Sequence, residues 1–401
     1  MRRVAVLGAG ILGSATALFL ARRGAHVTVF DGAAVPLAGA SRTNEGKIHL
    51  GYLYAADPSL DTARRLLQGG LAFRPLVEEL IGTSIDPAVS IADDTYVIHR
   101  SSVVGVDDTA RYYDAVTRLV AAHPAASTYL VPADQPRVER LAPRELDADY
   151  DRALIIAGFR VPERSVSTEW IADRMVTALA AQPRIELRMH TRIVRVVAPT
   201  TLQRPLRVET GLGTEGPFDA VINALWDGRL AIDADLGLPL PATWSHRYRL
   251  SAFVRTVQPV HVPSVVVATG PFGDVKNYTG RDLYLSWYPT GLVAEGNDVK
   301  APVVPPIDDC ARARLLDDMF ERLGALVRPV GALRPLVASA RLAGGWVYAA
   351  GRGPLDDRRS TLHRRDRVGI TRVGDYLSVD TGKYSIAPWL AQQVARQLTG
   401  R

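Results

Sequence analysis

Cysteine is nearly missing from this chain of 401 residues: with Cys310 alone, no intrachain disulfide can form, and a reducing, cytoplasmic setting is expected. Lysine is almost as scarce. Of 48 basic residues, four are lysine (Lys47, Lys276, Lys300 and Lys383) and the rest are arginine. Where arginine dominates so strongly, a surviving lysine hints that a compact, titratable amine matters at its position. Internal repeats and low-complexity tracts are lacking, which excludes solenoid and fibrous architectures. No Cys/His pattern has metal-ligand spacing, and there is no Ser-His-Asp signature or Walker loop. A metal site, acyl-enzyme chemistry and P-loop phosphoryl transfer are therefore not expected. The net charge is +6, but the densest basic stretch, 352–367, is broken by Asp356, Asp357 and Asp366. That reads as solvated surface, and no nucleic-acid partner is expected.

The chain opens MRRVAVLGAGILGSATALFLARRGAHVTVFD. Two arginines before an apolar run resemble a secretory leader, and the run is only slightly short for a membrane span. Three glycines inside it argue otherwise. Gly8, Gly10 and Gly13 form G-x-G-x-x-G between the strand pattern RRVAVL and the helical pattern ILGSATALFLARRG. A second strand, AHVTVFD, closes on Asp31. This is a complete dinucleotide-binding βαβ unit. Gly8 permits the tight turn, Gly10 lets a pyrophosphate approach, and Gly13 lets the helix pack on the sheet. The helix N-terminus, at Ile11 and Leu12, offers free N–H groups and a positive dipole end. Asp31 accepts from a ribose. No transmembrane segment is expected.

The unit alone does not separate NAD from FAD. The stretch GASRTNEGKIHLGYLYAADPS, 39–59, resembles a segment that follows the second strand in the D-amino-acid-oxidase-like superfamily of FAD proteins. The ending GDYLSVDTGKYSIAPWLAQQVARQL resembles that family's closing FAD motif. FDAVINALWDGRL is similar to its VVNAAG segment, with Leu225-Trp226 where glycine is usual. Two segments, GKIHLGYLY and STLHRRDRVGITRVGDYLSVDTGK, are similar to the glycerol-3-phosphate and 2-hydroxyglutarate dehydrogenase branch. The branch arginine in GLRY falls on Leu53 here, which argues against glycerol 3-phosphate itself. The resemblance implies FAD as cofactor, contacted by Gly8, Gly10, Ile11, Leu12, Gly13, Asp31, Ser41, Arg42, Asn44, Gly46, Lys47, His49, Val194, Asn223, Ala224, Gly382, Lys383, Tyr384 and Ser385. It implies an α/β, overall α+β, fold: a Rossmann-like FAD-binding domain (1–58, 156–230, 341–401) and a substrate domain on an antiparallel sheet with helices (59–155, 231–340).

The same carry-over places His49, Tyr54, Lys383 and one of Arg364 or Arg365 on the substrate side of the flavin. His49 reads as a base or positioner, as the site of an 8α-histidyl link, or as a locally bonded loop residue. Lys383 reads as a stabiliser of the reduced flavin, as a ligand for a substrate carboxylate, or as a solvent-exposed turn lysine. Tyr284 and Tyr288 fall on one face if 282–289 is a strand, either as aromatic pocket walls or as sheet packing. Candidate catalytic residues are His49, Lys383, Tyr288 and Arg364, and candidate substrate contacts are Tyr52, Tyr54, Tyr284 and Arg352. The leading reading is an FAD-dependent oxidoreductase that oxidises a C–N bond of an amine or amino-acid-like, anionic or zwitterionic small molecule by hydride transfer to flavin N5. Oxygen or another acceptor then takes the electrons. Oxidation of a 2-hydroxy acid or polyol phosphate is the alternative within this class. A flavoprotein that modifies nucleic acid, or a flavin-bearing electron-transfer subunit, is the alternative outside it.

Overall fold

In the computed structural model, which describes residues 2–133, 135–199 and 201–400, the opening stretch folds as its glycines require. The strand Arg3–Leu7 runs into the helix Ile11–Arg22, and the strand His26–Phe30 lies parallel to the first. Every residue from Ile11 to Ala21 is buried. The helix packs on the sheet and against the helices Ala387–Thr399 and Thr168–Ala180. A helix covered on all sides is apolar all round, so its likeness to a leader or span has a globular cause.

These strands belong to a six-stranded sheet in the order Gly369–Val373, Tyr376–Asp380, Ala220–Asn223, Arg3–Leu7, His26–Phe30, Ile185–Arg188. All neighbours are parallel except the first pair. Alternation sorts the side chains. Val4, Val6, Val27 and Val29 join the core under the helices, whereas Ala5, Leu7 and Phe30 join a second core with Leu206, Val208 and Phe218. That second core is closed by a three-stranded antiparallel sheet, Ile193–Val197, Leu206–Thr210 and Gly213–Phe218.

The larger sheet has nine strands. One strand in from one edge, Ser245–Thr256 pairs with Val337–Ala349 on one side and with Asp282–Trp287 and Leu292–Gly296 on the other. Gly273–Asn277, Val265–Ala268, Asp94–His99, Ile155–Val161 and Glu139–Arg140 extend it. One face is apolar. Leu250, Ala252, Val254, Val275, Leu283 and Leu285 pack with Met319, Phe320 and Leu323 of the helix Asp309–Leu326. Period-2 alternation therefore puts Arg247, Arg249, Ser251, Asp274, Lys276, Tyr284 and Ser286 on the opposite face.

Three expectations change here. The strands Ile155–Val161 and Val337–Ala349 both belong to the nine-stranded sheet, so the expected boundaries at 155/156 and 340/341 cut through or beside strands of that sheet. Likewise the helix Asp61–Ile81, expected in the substrate domain, packs against Ala387–Thr399 and Thr168–Ala180 in the core under the six-stranded sheet. The strand expected over 282–289 ends at Trp287. Tyr288 opens a short helical turn, Tyr288–Gly291, at Pro289.

Candidate active site

A cavity of about 450 Å³ lies between the six-stranded sheet and the polar face of the larger one. Its first half is built from the opening unit. Gly8 has φ +98°, and a Cβ there would stand 2.7 Å from the Ala224 carbonyl oxygen. A Cβ on Gly13 would stand 1.8 Å from the Gly8 carbonyl oxygen, so the helix can approach the turn only without a side chain. No side chain of Gly10 caps the helix; Ser41 Oγ instead accepts from Ile11 N–H at 2.9 Å. The N–H groups that follow in the first turn have no intrahelical acceptors and are available to an anion.

Asp31 lines the same cavity, where its carboxylate accepts from Ala9 N–H at 2.7 Å and Ala33 N–H at 2.8 Å. Its oxygens are thus fixed beside the turn with lone pairs to spare for a ribose hydroxyl. Asp31→Ala is expected to weaken FAD retention by about 1–3 kcal/mol, the scale of a lost charge-assisted hydrogen bond. Equilibrium FAD release checks it, and an unchanged dissociation constant would remove Asp31 from the ribose. Trp226 and Asp227 complete this end. Trp226, at φ +57°, donates Nε1–H to the Trp346 carbonyl at 2.7 Å. Burial pushes the Asp227 carboxyl up to about 6, and the charge of Asp31 pushes the same way.

The second half of the cavity is charged. Lys383 stands at the tight turn after Tyr376–Asp380, where Gly382 has φ +60°. Burial pushes its ammonium down to about 8; Glu45 opposes this, while Arg365, Arg249 and Arg247 add to it. Glu45, also on the cavity wall, is held below the usual carboxylate range: burial works against its charge, but Lys383, its own backbone and Arg249 outweigh burial. Arg249 donates to Ser286 Oγ at 2.6 Å and lies 4.4 Å from the Tyr288 ring centre. Arg247 donates to Tyr288 Oη at 2.6 Å. Tyr284 lines the wall and bonds to Ser251 Oγ at 2.8 Å.

Behind the wall lies a buried ion cluster. Asp94 pairs with Lys47 through one carboxylate oxygen and approaches the Lys276 ammonium through the other at 2.8 Å. Two of the four lysines of the chain therefore meet at Asp94, and a third, Lys383, lines the cavity. His49 is buried beside Tyr54, with ring centres 5.7 Å apart and Nδ1 without a partner. Burial, with Lys383 and Lys47 nearby, holds His49 well below the usual histidine range, so its ring is neutral at pH 7. Glu163 shapes this loop by accepting from the backbone N–H groups of Leu50 and Gly51 and from Tyr96 Oη.

Several sequence candidates are placed elsewhere. Val194 is 53% exposed on the three-stranded sheet. Asn223 spends its amide on Arg229 O, Asp233 and Tyr376, so it fixes the turn after its strand, and its neighbour Ala224 lines the cavity. Arg42 turns to Asp173 at 2.8 Å. Gly46 packs against the Val166 carbonyl, and Ser385 is buried behind the wall. Asn44 lines the cavity, but its side chain bonds Ala40 O and Gly46 N–H. Tyr52 bonds Thr117 and packs on Tyr113, an ordinary core tyrosine. Arg352 is exposed. Arg364 faces Asp366, Asp61 and Asp57, whereas Arg365 is the buried one. Glu45, Asp274, Arg247 and Arg249 were missed; alternation in SHRYRLSAFVRT could have shown the two arginines on one face.

The glycine cradle, the open helix N-terminus and the placed carboxylate fit an FAD pyrophosphate and ribose. A family model described as FAD dependent oxidoreductase (DAO) matches residues 3–359. The chain belongs to the DAO family of FAD-dependent oxidoreductases. Among solved structures, it is similar to glycine oxidase from Geobacillus kaustophilus, at 16% identity and TM-score 0.65, covering 100% of this chain and 95% of that one. Iminodiacetate oxidase from Chelativorans sp. BNC1 gives 16% and 0.67, covering 100% and 96%. L-α-glycerophosphate oxidase from Mycoplasma pneumoniae, determined with FAD bound, gives 13% and 0.66, covering 99% and 94%. At these identities the likeness shows the fold of a DAO-family enzyme. No helix among the described residues is long and apolar enough to cross a membrane.

Proposed function

We propose that this DAO-family enzyme oxidises a C–N bond of a small amine or amino-acid-like molecule that carries an anionic group. The supporting observation is the pair Arg249 and Lys383 on the cavity wall. The hydrogen bond of Arg249 goes to a neutral hydroxyl, so its charge is available to a ligand. Bound FAD supplies the two-electron acceptor. A substrate carboxylate seated between these cations fixes the reacting carbon against the opening unit's half of the cavity. The surplus positive charge disfavours a bound ammonium, so the amine is presented as its neutral base. Glu45, ionised on the same wall, offers an acceptor for a polarised N–H.

A second reading, oxidation of a 2-hydroxy acid or polyol phosphate, is supported by His49. A hydroxyl must lose a proton, and a neutral imidazole with an unpartnered, buried Nδ1 is equipped to take one. Anaerobic bleaching of the yellow protein across paired amines, amino acids, hydroxy acids and polyol phosphates tests both readings. Bleaching by amines alone supports the first. Bleaching by hydroxy acids or polyol phosphates alone replaces it with the second, and no bleaching by any of them rejects both. Mixing the reduced protein with oxygen then separates oxidase from dehydrogenase.

A further inference from the structure

Arg247 reaches in from the strand Ser245–Thr256, and Arg365 from the segment after the turn Thr361–His363. The two residues are 3% and 9% exposed. Neither donates a hydrogen bond to a carboxylate among the described residues. Arg247 donates to Tyr288 Oη, and Arg365 donates to the carbonyls of Leu362 and Arg364, both at 2.6 Å. The Nε of each is buried without a partner, and so is Tyr54 Oη. The two groups also face each other's charge. Burial lowers the hold of Arg365 on its proton and Arg247 lowers it further, against the opposing pulls of Tyr54 and the Asp380 carboxylate. A guanidinium does not escape by deprotonating. Two buried like charges with free donors are costly unless an anion joins them. The two nearby carboxylates are already engaged: Glu45 faces Lys383, Arg249 and Lys47, and Asp380 pairs with Arg229 at 3.3 Å and accepts from Gly382 N–H at 2.9 Å.

We infer that Arg247 and Arg365, with Tyr54, form a second anion subsite behind Arg249 and Lys383, and that the substrate carries two anionic groups. This rests on the proposed function, which seats the first anionic group at Arg249 and Lys383. The second group is a carboxylate or a phosphoryl group, since both present paired oxygens to a guanidinium fork.

The test is binding to the flavin-loaded protein, read from the flavin absorption spectrum without turnover. Three unreactive probes are titrated: butyrate with one carboxylate, glutarate with two, and 3-phosphonopropionate with a carboxylate and a phosphonate. Glutarate or 3-phosphonopropionate is expected to bind at least about tenfold more tightly than butyrate, and the tighter of the two names the second group. Arg365→Met and Arg247→Met should each abolish that preference while leaving butyrate binding within about twofold. Arg365→Lys should restore part of it, which separates lost charge from lost folding. Equal binding of all three probes by the wild type, or a preference that survives both Met substitutions, overturns the subsite. A protein that prefers glutarate yet is bleached by no amine or hydroxy acid overturns the proposed function and leaves the subsite standing.

Discussion

Lys383→Met is expected to slow flavin reduction by substrate or reoxidation by an acceptor on the order of 10²–10³-fold, with FAD still bound. The side chain combines a cavity position, a tight turn that fixes its backbone and a charge with no fixed ion-pair partner. Its Nζ lies 6.0 Å from the Tyr54 ring centre. Met keeps much of the length and removes the charge. An interaction of about 2–4 kcal/mol with developing negative charge corresponds to that loss of rate. The pH dependence gives an independent check. Because burial pushes the ammonium down to about 8, the wild type should lose the faster rate as pH rises through that value. Lys383→Arg keeps its charge there and should hold the plateau to higher pH. Lys383→Met should be slow and lack that limb. Stopped-flow traces of both half-reactions decide it, and wild-type rates in the Met variant would remove Lys383 from the chemistry.

The cofactor half of the site was legible because its logic is local. G-x-G-x-x-G, two flanking strands and Asp31 lie within one βαβ unit, and each residue acts on a neighbour a few positions away. The substrate half was only partly legible. The scarcity of lysine pointed at Lys383 and Lys47, and the structure adds Lys276, which meets Asp94 across strands far apart in sequence. Arg249 and Glu45 come from different elements, and no spacing rule joins them. The choice between Arg364 and Arg365 shows the limit plainly. Neighbouring residues in an extended segment point opposite ways, and the carboxylates of Asp366, Asp61 and Asp57 hold Arg364 on one side while Arg365 is buried on the other. Asn223 is a related case. The resemblance located its strand and turn, but the amide is consumed by Asp233 and Tyr376.

Asp94 is where the stability of the site concentrates. Its carboxylate is fully buried, and it is the counter-ion for Lys47, which is 3% exposed, and for Lys276, which is 0% exposed. Burial alone would raise its pKa, but Lys276 and Lys47 hold it below the usual carboxylate range. Asp94→Asn preserves the shape and removes the charge, leaving two ammonium groups in the interior. The expected cost is about 3–5 kcal/mol, the scale for breaking a buried pair by removing one partner. The sign of the pH effect follows from which group must then yield. Lys276 is already pushed down to about 8 by burial, with Asp94 resisting. Without Asp94 the Lys276 pKa falls further below its unfolded value, and Lys47 loses the partner that holds its own pKa raised against burial, so the unfolded state binds more protons. Stability of the variant should therefore rise with pH between the depressed folded value and the unfolded one, and its deficit against wild type should narrow as pH goes from about 7 to about 9.5. Thermal unfolding of flavin-loaded wild type, Asp94→Asn and the double variant Asp94→Asn/Lys276→Met reads this directly. The double variant should recover part of the loss, because it removes a stranded charge together with its partner. A deficit below about 1 kcal/mol, or one that widens with pH, would show that the cluster is hydrated and that Asp94 does not anchor the ion cluster behind the cavity wall.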